Sequence, residues 1–408
     1  MPLKRLAVGF LLLIFLTGCL PPPGAVSAAQ AVGPAATLSS VEPTPFLTAL
    51  PTLIASATTL PVATLRPTTT SSAPTPTSSV LGVLGFPIDV NPLTGLKVAD
   101  PQILNRRPVL IKVANWPASG RPHAGLSFAD IVFEYYIGEF TNRFMAVFYG
   151  QDSPKIGPVR SGRLVDSQLT NMYGGILGYG NADSKVDDVL VRELGDRAIS
   201  FNDAPCPPMC GKDTHDINGV FANSAEMTRF AINHQINNDR PDLRGMLFDS
   251  KVPTSSQLAV KIGVQYIYWN RGEWRYDPQS GKYLRWIDDG EIIKPANLIP
   301  LVDRITGEQL AFDNVMIVFA NYIEYAPTLH DIDITINTTG ERAVLFRDGV
   351  MVEGKWRSIG PDHPIQFLDR WGIPLPLKPG NTWVVITGNS SKFEQVDPGQ
   401  WELHFDLP

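Results

Sequence analysis

The sequence predicts a mixed α/β (α+β) N-terminal domain followed by a mainly antiparallel β C-terminal domain. Three observations predict this. Between residues 86 and 250, apolar residues at three- and four-residue steps alternate with short β-branched runs, which is the pattern of helices interleaved with strands. Between 254 and 390 the runs are all short, β-branched or aromatic, and turn residues separate them. Ahead of both lies a stretch dominated by Pro, Thr, Ser and Ala that carries no sustained apolar period. The organisation is therefore a signal segment at 1–18, a tether at 19–85, the two domains, and a C-terminal extension at 391–408.

The first residues carry Lys4 and Arg5, then an apolar run over 6–16, then Thr17, Gly18 and Cys19. This is the layout of a secretory signal. The apolar run falls short of the ~20 residues that a helix needs to cross a bilayer. Leu16-Thr17-Gly18-Cys19 resembles the lipobox of bacterial lipoproteins. That resemblance implies diacylglycerol on Cys19 and an address on the extracytoplasmic face of the cell membrane; the alternative is an ordinary signal peptide. As a flexible coil, a tether of ~65 residues would span roughly 45 Å root-mean-square.

Thirty-four Lys and Arg against 40 Asp and Glu leave a net charge of -6, which gives no global basic character for nucleic acid. Besides Cys19 the chain has only Cys206 and Cys210. In an oxidising compartment they would close a short disulfide; a zinc site with His215 and His234 is the alternative.

In the first domain, residues 109–114, 128–136 and 143–149 read as strands, with Gly138 and Asn142 turning the last two into a hairpin. Leu164, Val165, Leu169 and Met172 mark a short amphipathic helix, and 176–179 a further strand. Val186, Val189, Leu190 and Leu194 mark a second helix, capped by Asp183 or Ser184. In the second domain, 264–269, 274–276, 283–287, 315–320, 331–337, 344–347, 350–356 and 382–387 read as strands, and no helix is predicted.

Several motifs resemble the YerB-type bacterial lipoproteins, which carry paired N- and C-terminal domains of unknown function. In the first half these are RPHAGLS at 121–127, ADIVFE at 129–134, TNRF at 141–144 and IGPVRSGR at 156–163. In the second they are LFRDG at 345–349, EGKW at 353–356 and LKPGNTW at 377–383. The chain departs from that pattern at 214–223, where the family carries a Pro-His-Asn segment, and in its cysteine pair. The resemblance implies an envelope lipoprotein and carries no established catalytic activity with it.

The candidate site is Arg160-Ser161-Gly162-Arg163, directly before the first helix. Paired guanidiniums beside free helix N–H groups suit a carboxylate or phosphate. Asp130 and Arg143 are the companions this reading expects, and Asp130 would then carry Mg²⁺ against a pyrophosphate. The order of an Asp-led strand, a hairpin strand and an Arg-bearing loop resembles the LytR-CpsA-Psr phosphotransferases. The alternative is that these residues form structural ion pairs. Tyr266, Tyr268, Trp274 and Trp286 form a candidate aromatic binding face, with core filling as the alternative. The functional expectation is a lipid-anchored binding or assembly module for wall polymer or an envelope protein. It needs no cofactor; a phosphotransferase or pyrophosphate-binding enzyme, with Mg²⁺, is the alternative.

Overall fold

The computed structural model describes residues 80–407 apart from 84, 213–217, 255–256 and 336. The signal segment, Cys19 and nearly all of the tether lie outside the described residues, as does His215. The end of the expected tether is already attached to the fold, because Leu81 and Phe248 exchange both backbone hydrogen bonds at 2.8 and 3.0 Å.

The N-terminal half contributes β1 (Val109–Ala114), β2 (Ile131–Gly138), β3 (Thr141–Phe148), α1 (Leu164–Met172), β4 (Ile176–Tyr179), α2 (Ser184–Leu194) and β5 (Ala198–Ser200). It closes with the short pair β6 (Met209–Cys210) and β7 (Phe221–Ala222), then α3 (Ser224–Asn233). The C-terminal half continues with β8 (Gln257–Leu258), β9 (Lys261–Ile267), β10 (Asn270–Asp277), β11 (Lys282–Asp288), β12 (Leu298–Pro300) and β13 (Ala311–Phe312). After these come β14 (Asn314–Ala326), β15 (Leu329–Asp333), β16 (Glu341–Arg347), β17 (Val350–Arg357) and β18 (Gln366–Leu368). The last strands are β19 (Thr382–Gly388), β20 (Lys392–Asp397) and β21 (Gln400–His404).

The fold is mostly β with mixed sheets, and its hydrogen bonding does not respect the expected boundary at 250–254. One twelve-stranded sheet runs β18-β17-β16-β14-β19-β2-β3-β1-β4-β5, with β15 on β14 and β8 on β17. The C-terminal β19 lies parallel to the N-terminal β2, from Thr382 opposite Ile131 to Ile386 opposite Tyr135. The two halves therefore share one sheet, and pairing within the C-terminal half is mainly antiparallel, with β19 parallel to β14 and β21 parallel to β9. Strand-forming residues report that a segment is extended, whereas its partner depends on what the rest of the chain leaves open. The expected extension at 391–408 is corrected as well. It supplies β20 and β21, which complete the seven-stranded sheet β12-β11-β10-β9-β21-β20, with β13 on β11.

The layers follow from side-chain alternation along β2 and β3. One face, carrying Glu134 and Phe144, meets the seven-stranded sheet through Trp383, whose ring lies 5.8 Å from Trp274, 5.0 Å from Phe312 and 4.9 Å from Phe144. The opposite face carries Lys112, Tyr135 and Arg143 toward α1. Helix α2 begins where its cap predicts, with the Asp183 carboxylate accepting the Lys185 N–H at 3.0 Å. The alternating segment at 331–337 is shorter as a strand than expected, since β15 ends at Asp333. Ile332 and Ile334 are buried all the same.

Candidate functional site

The site is built where β1, β2 and β3 meet the start of α1. Arg143 stands opposite both Ala114 on β1 and Tyr135 on β2, and Lys112 lies two residues before Ala114, so all three side chains leave the same face. The 156–163 loop runs along the end of β1, where the Arg160 N–H donates to the Lys112 carbonyl at 2.9 Å. Gly162 lets the loop pass, because a Cβ there would stand 2.6 Å from Leu190 Cδ1 on α2. Arg163 then caps α1 and Asp166 occupies its first turn.

Asp166 is the hub. Its carboxylate accepts Lys112 Nζ at 2.9 Å, the Arg163 N–H at 2.7 Å and the Tyr135 hydroxyl. Lys112 also contacts that hydroxyl. Lys112 and Asp166 are fully buried. Burial pulls the Lys112 ammonium down to about 7 against the opposing attraction of Asp166. Burial also pushes the Tyr135 phenol well above its ordinary value, and Asp166 adds to that.

Arg143, Arg160 and Arg163 converge above this hub. Arg143 Nη1 donates to the Ser161 carbonyl at 2.6 Å and Arg163 Nη1 to the Gly162 carbonyl at 2.7 Å. Each of the three Nε groups is buried without a hydrogen-bond partner among the described residues. Burial, then the like charges of Arg163 and Arg160, hold the Arg143 guanidinium well below its ordinary value; burial and then Arg163 lower Arg160, and burial alone lowers Arg163, against the attraction of Asp166 and Asp183. Three cations held close together with unused donors are only partly offset by Asp166 and Asp183, and an oxyanion is the group that supplies both further charge and acceptors. Beside them opens a cleft of about 490 Å³ lined by Ser161, Arg163, Asn181, Asp183, Lys185 and Thr328.

Asp130 does not join this cluster, which corrects the expected four-residue site. It sits just ahead of β2, five residues from Tyr135, which is roughly 16 Å along an extended strand. Its carboxylate is consumed by the N–H groups of Tyr149 at 2.7 Å and Gly150 at 3.0 Å and by Asn91 Nδ2 at 2.9 Å. Burial raises its carboxyl to about 6. In its place stand Lys112, Tyr135 and Asp166, which the sequence reading missed. The available signal was Lys112 itself, a lone charge in the run Val109–Ala114 whose strand is buried at every position.

The aromatic face is also corrected. Trp274 is fully buried and Tyr266 nearly so, both in the core. Trp286 is covered by the Arg275 guanidinium at 3.9 Å, and of the four only Tyr268 is exposed. Cys206 and Cys210 are disulfide-bonded, with Cα atoms 4.3 Å apart. His234 stacks on Phe230 at 3.9 Å.

Residues 93–218 match the model described as "Protein of unknown function (DUF3048) N-terminal domain", and residues 262–384 match that of its C-terminal domain. YerB of Bacillus subtilis (strain 168), a protein named as a lipoprotein, is 29% identical over 309 residues, which cover 72% of this chain and 85% of YerB. The crystal structure of YerB from Bacillus subtilis aligns with a TM-score of 0.58 at 26% identity, covering 73% of this chain and 96% of that one. With both halves matched in order and the neighbouring structure nearly covered, the chain belongs to the YerB-type family.

Proposed function

We propose that this chain is a lipid-anchored envelope protein that acts by binding, and that its ligand presents a phosphate or carboxylate to Arg143, Arg160 and Arg163. The observation that carries this reading is that these three neighbouring arginines, whose Nε groups are unpartnered, form no side-chain ion pair among the described residues; Arg143 and Arg163 donate instead to the Ser161 and Gly162 carbonyls. Arg106, which serves the fold, is paired with the Asp152 carboxylate at 2.9 Å, although its Nε is without a partner as well. The anchor is read from Leu16-Thr17-Gly18-Cys19 together with the name of the Bacillus relative, and it sets the protein among wall polymers and envelope proteins. An anionic wall polymer fits the arginines best, since guanidinium forks suit phosphate and carboxylate oxygens.

The phosphotransferase reading asks for a carboxylate on Mg²⁺ beside the arginines. Asp130 is remote, and Asp166 already accepts three donors. Thermal unfolding with wall-polymer fragments and with pyrophosphate, each with and without Mg²⁺, separates the two readings. Binding predicts stabilisation without Mg²⁺ that Arg160→Ala abolishes. Stabilisation that requires Mg²⁺ and is followed by turnover would replace it with the enzyme reading. No stabilisation by any anionic fragment would sink both.

A further inference from the structure

A second cleft, of about 540 Å³, adjoins the arginine site. The two share Lys185 and Leu329 on their walls, so they form one groove that passes the start of α2. One wall is the hairpin β14–β15, which gives Ala326 and Thr328 to the first cleft and Tyr325 and Asp331 to the second. The other wall is α1 and α2. From Lys185 to Arg192 along α2 the second cleft extends roughly 10 Å.

The walls are fixed before any ligand arrives. Gln168 on α1 donates to Asp331 at 2.9 Å and accepts the Ile334 N–H at 3.2 Å, which ties the helix to the hairpin strand. The hairpin turn is seated on the turn between β2 and β3. Gly138 has φ 112°, and a Cβ there would lie 2.2 Å from the Pro327 carbonyl oxygen.

The chemistry changes along the groove. At the arginine end the cations outnumber the nearby carboxylates, Asp166 and Asp183. In the second cleft Lys185 and Arg192 lie with Glu193 and Asp331, and the remaining wall mixes hydroxyl and amide groups, Ser167, Gln168, Asn171 and Thr335, with apolar Leu164, Val189, Leu329 and Pro361. Tyr325 stands at the rim, 61% exposed. Hydroxyl and amide groups beside an exposed ring suit a chain of hydroxyl-bearing rings, which offers hydrogen bonds at its edges and an apolar face for stacking.

We infer that the groove binds an extended anionic glycan, with one acidic group held by Arg143, Arg160 and Arg163 and the neighbouring sugar units laid between α1, α2 and the β14–β15 hairpin against Tyr325. This rests on the proposed anion site and adds the substrate class and its direction.

Calorimetric titration of the full chain in detergent micelles tests it. The probes are inorganic phosphate, N-acetylglucosamine 1-phosphate, β-1,4-linked N-acetylglucosamine di- and tetrasaccharide 1-phosphates, the same tetrasaccharide without phosphate, and an acidic tetrapeptide. The tetrasaccharide phosphate is expected to bind about tenfold tighter than the monosaccharide phosphate. Tyr325→Ala should remove most of that gain and leave the monosaccharide phosphate unchanged; Tyr325→Phe should restore it. Arg160→Ala should weaken every phosphorylated probe. Affinity that does not rise with glycan length, while Arg160→Ala still weakens phosphate, overturns the groove and leaves the anion site standing. Preference for the acidic peptide overturns the glycan. Absence of binding by every phosphorylated probe removes both.

Discussion

The Glu134 carboxylate, on a strand of the N-terminal half, accepts Nη2 of Arg285, on a strand of the C-terminal half, at 3.2 Å in the fully buried space between the two sheets. Trp383 Nε1 donates to the same carboxylate oxygen at 2.8 Å and Asn142 Nδ2 to the other at 2.5 Å. The Arg285 guanidinium also lies over the Trp274 ring at 3.9 Å. Arg285→Met would leave a buried carboxylate without its cation, and a loss of about 3–5 kcal/mol is expected. Urea unfolding should report it as one cooperative transition. Glu134→Gln added to that variant should recover part of the loss; a double variant as unstable as the sum of the two single ones would contradict the pairing.

Arg160 illustrates the opposite balance. Its Nε has no partner and its nearest charges are cationic, so Arg160→Met should leave stability unchanged or raise it by up to about 1 kcal/mol. The same variant should lose the thermal stabilisation that phosphate-bearing ligands give. A marked destabilisation would mean that Arg160 serves the fold rather than a ligand.

The Lys112 ammonium titrates near 7 in the fold, because burial opposes its charge, against 10.5 when unfolded. Between those values the unfolded chain binds the additional proton, so this group makes stability rise with pH from 7 toward 10 and contributes no slope below 7. Tyr135 acts in the other sense above 10, since its phenol ionises first in the unfolded chain. Urea titrations across pH 7 to 10 should show the rise in the parent chain and a flatter profile in Lys112→Met. Equal slopes in the two proteins would show that Lys112 does not change its protonation on folding.

Removal of residues 391–408 should abolish folding. It deletes β20 and β21, strips the β9 edge of its parallel partner and takes away Leu403, fully buried, and Trp401, whose Nε1 donates to the Leu258 carbonyl at 2.9 Å. Two core side chains alone are worth more than about 4 kcal/mol. Size-exclusion chromatography and far-ultraviolet circular dichroism should find aggregate or an unfolded chain. A soluble, native-like truncation would show that the hairpin is an appendage.

Much of the fold was legible because local chemistry writes it. The strand at Val109–Ala114, the helices at Leu164–Met172 and Ser184–Leu194, the Asp183 cap and the hairpin after Gly138 fall where apolar period, turn residues and capping place them. Helix α3 and the strands of 392–404 were missed. Phe393, Val396, Trp401 and Leu403 are too few and too interrupted by charge to stand out without the sheet they complete.

The candidate site divides along the same line. Arg160 and Arg163 were legible from their loop, and Arg143 as their companion, because guanidiniums ahead of a helix have a local electrostatic reason to bind anions. Asp130 was assigned with them from its place at the start of a buried strand and the order of strand, hairpin and Arg-bearing loop, yet it lies at the far end of β2, bound to Tyr149 and Gly150. Asp166, Lys112 and Tyr135 meet only because β1, β2 and α1 are packed together.

By itself the sequence determined the segments, their caps and turns, and the cationic loop, since these depend on backbone preference and side-chain period over a few residues. The tertiary structure alone decided that β19 would run beside β2, that Glu134 would meet Arg285, and that the arginines would stand over Asp166 rather than Asp130. Strand pairing between distant segments is selected by burial of whole faces and by competition among all available edges, and no short stretch of chain carries that information.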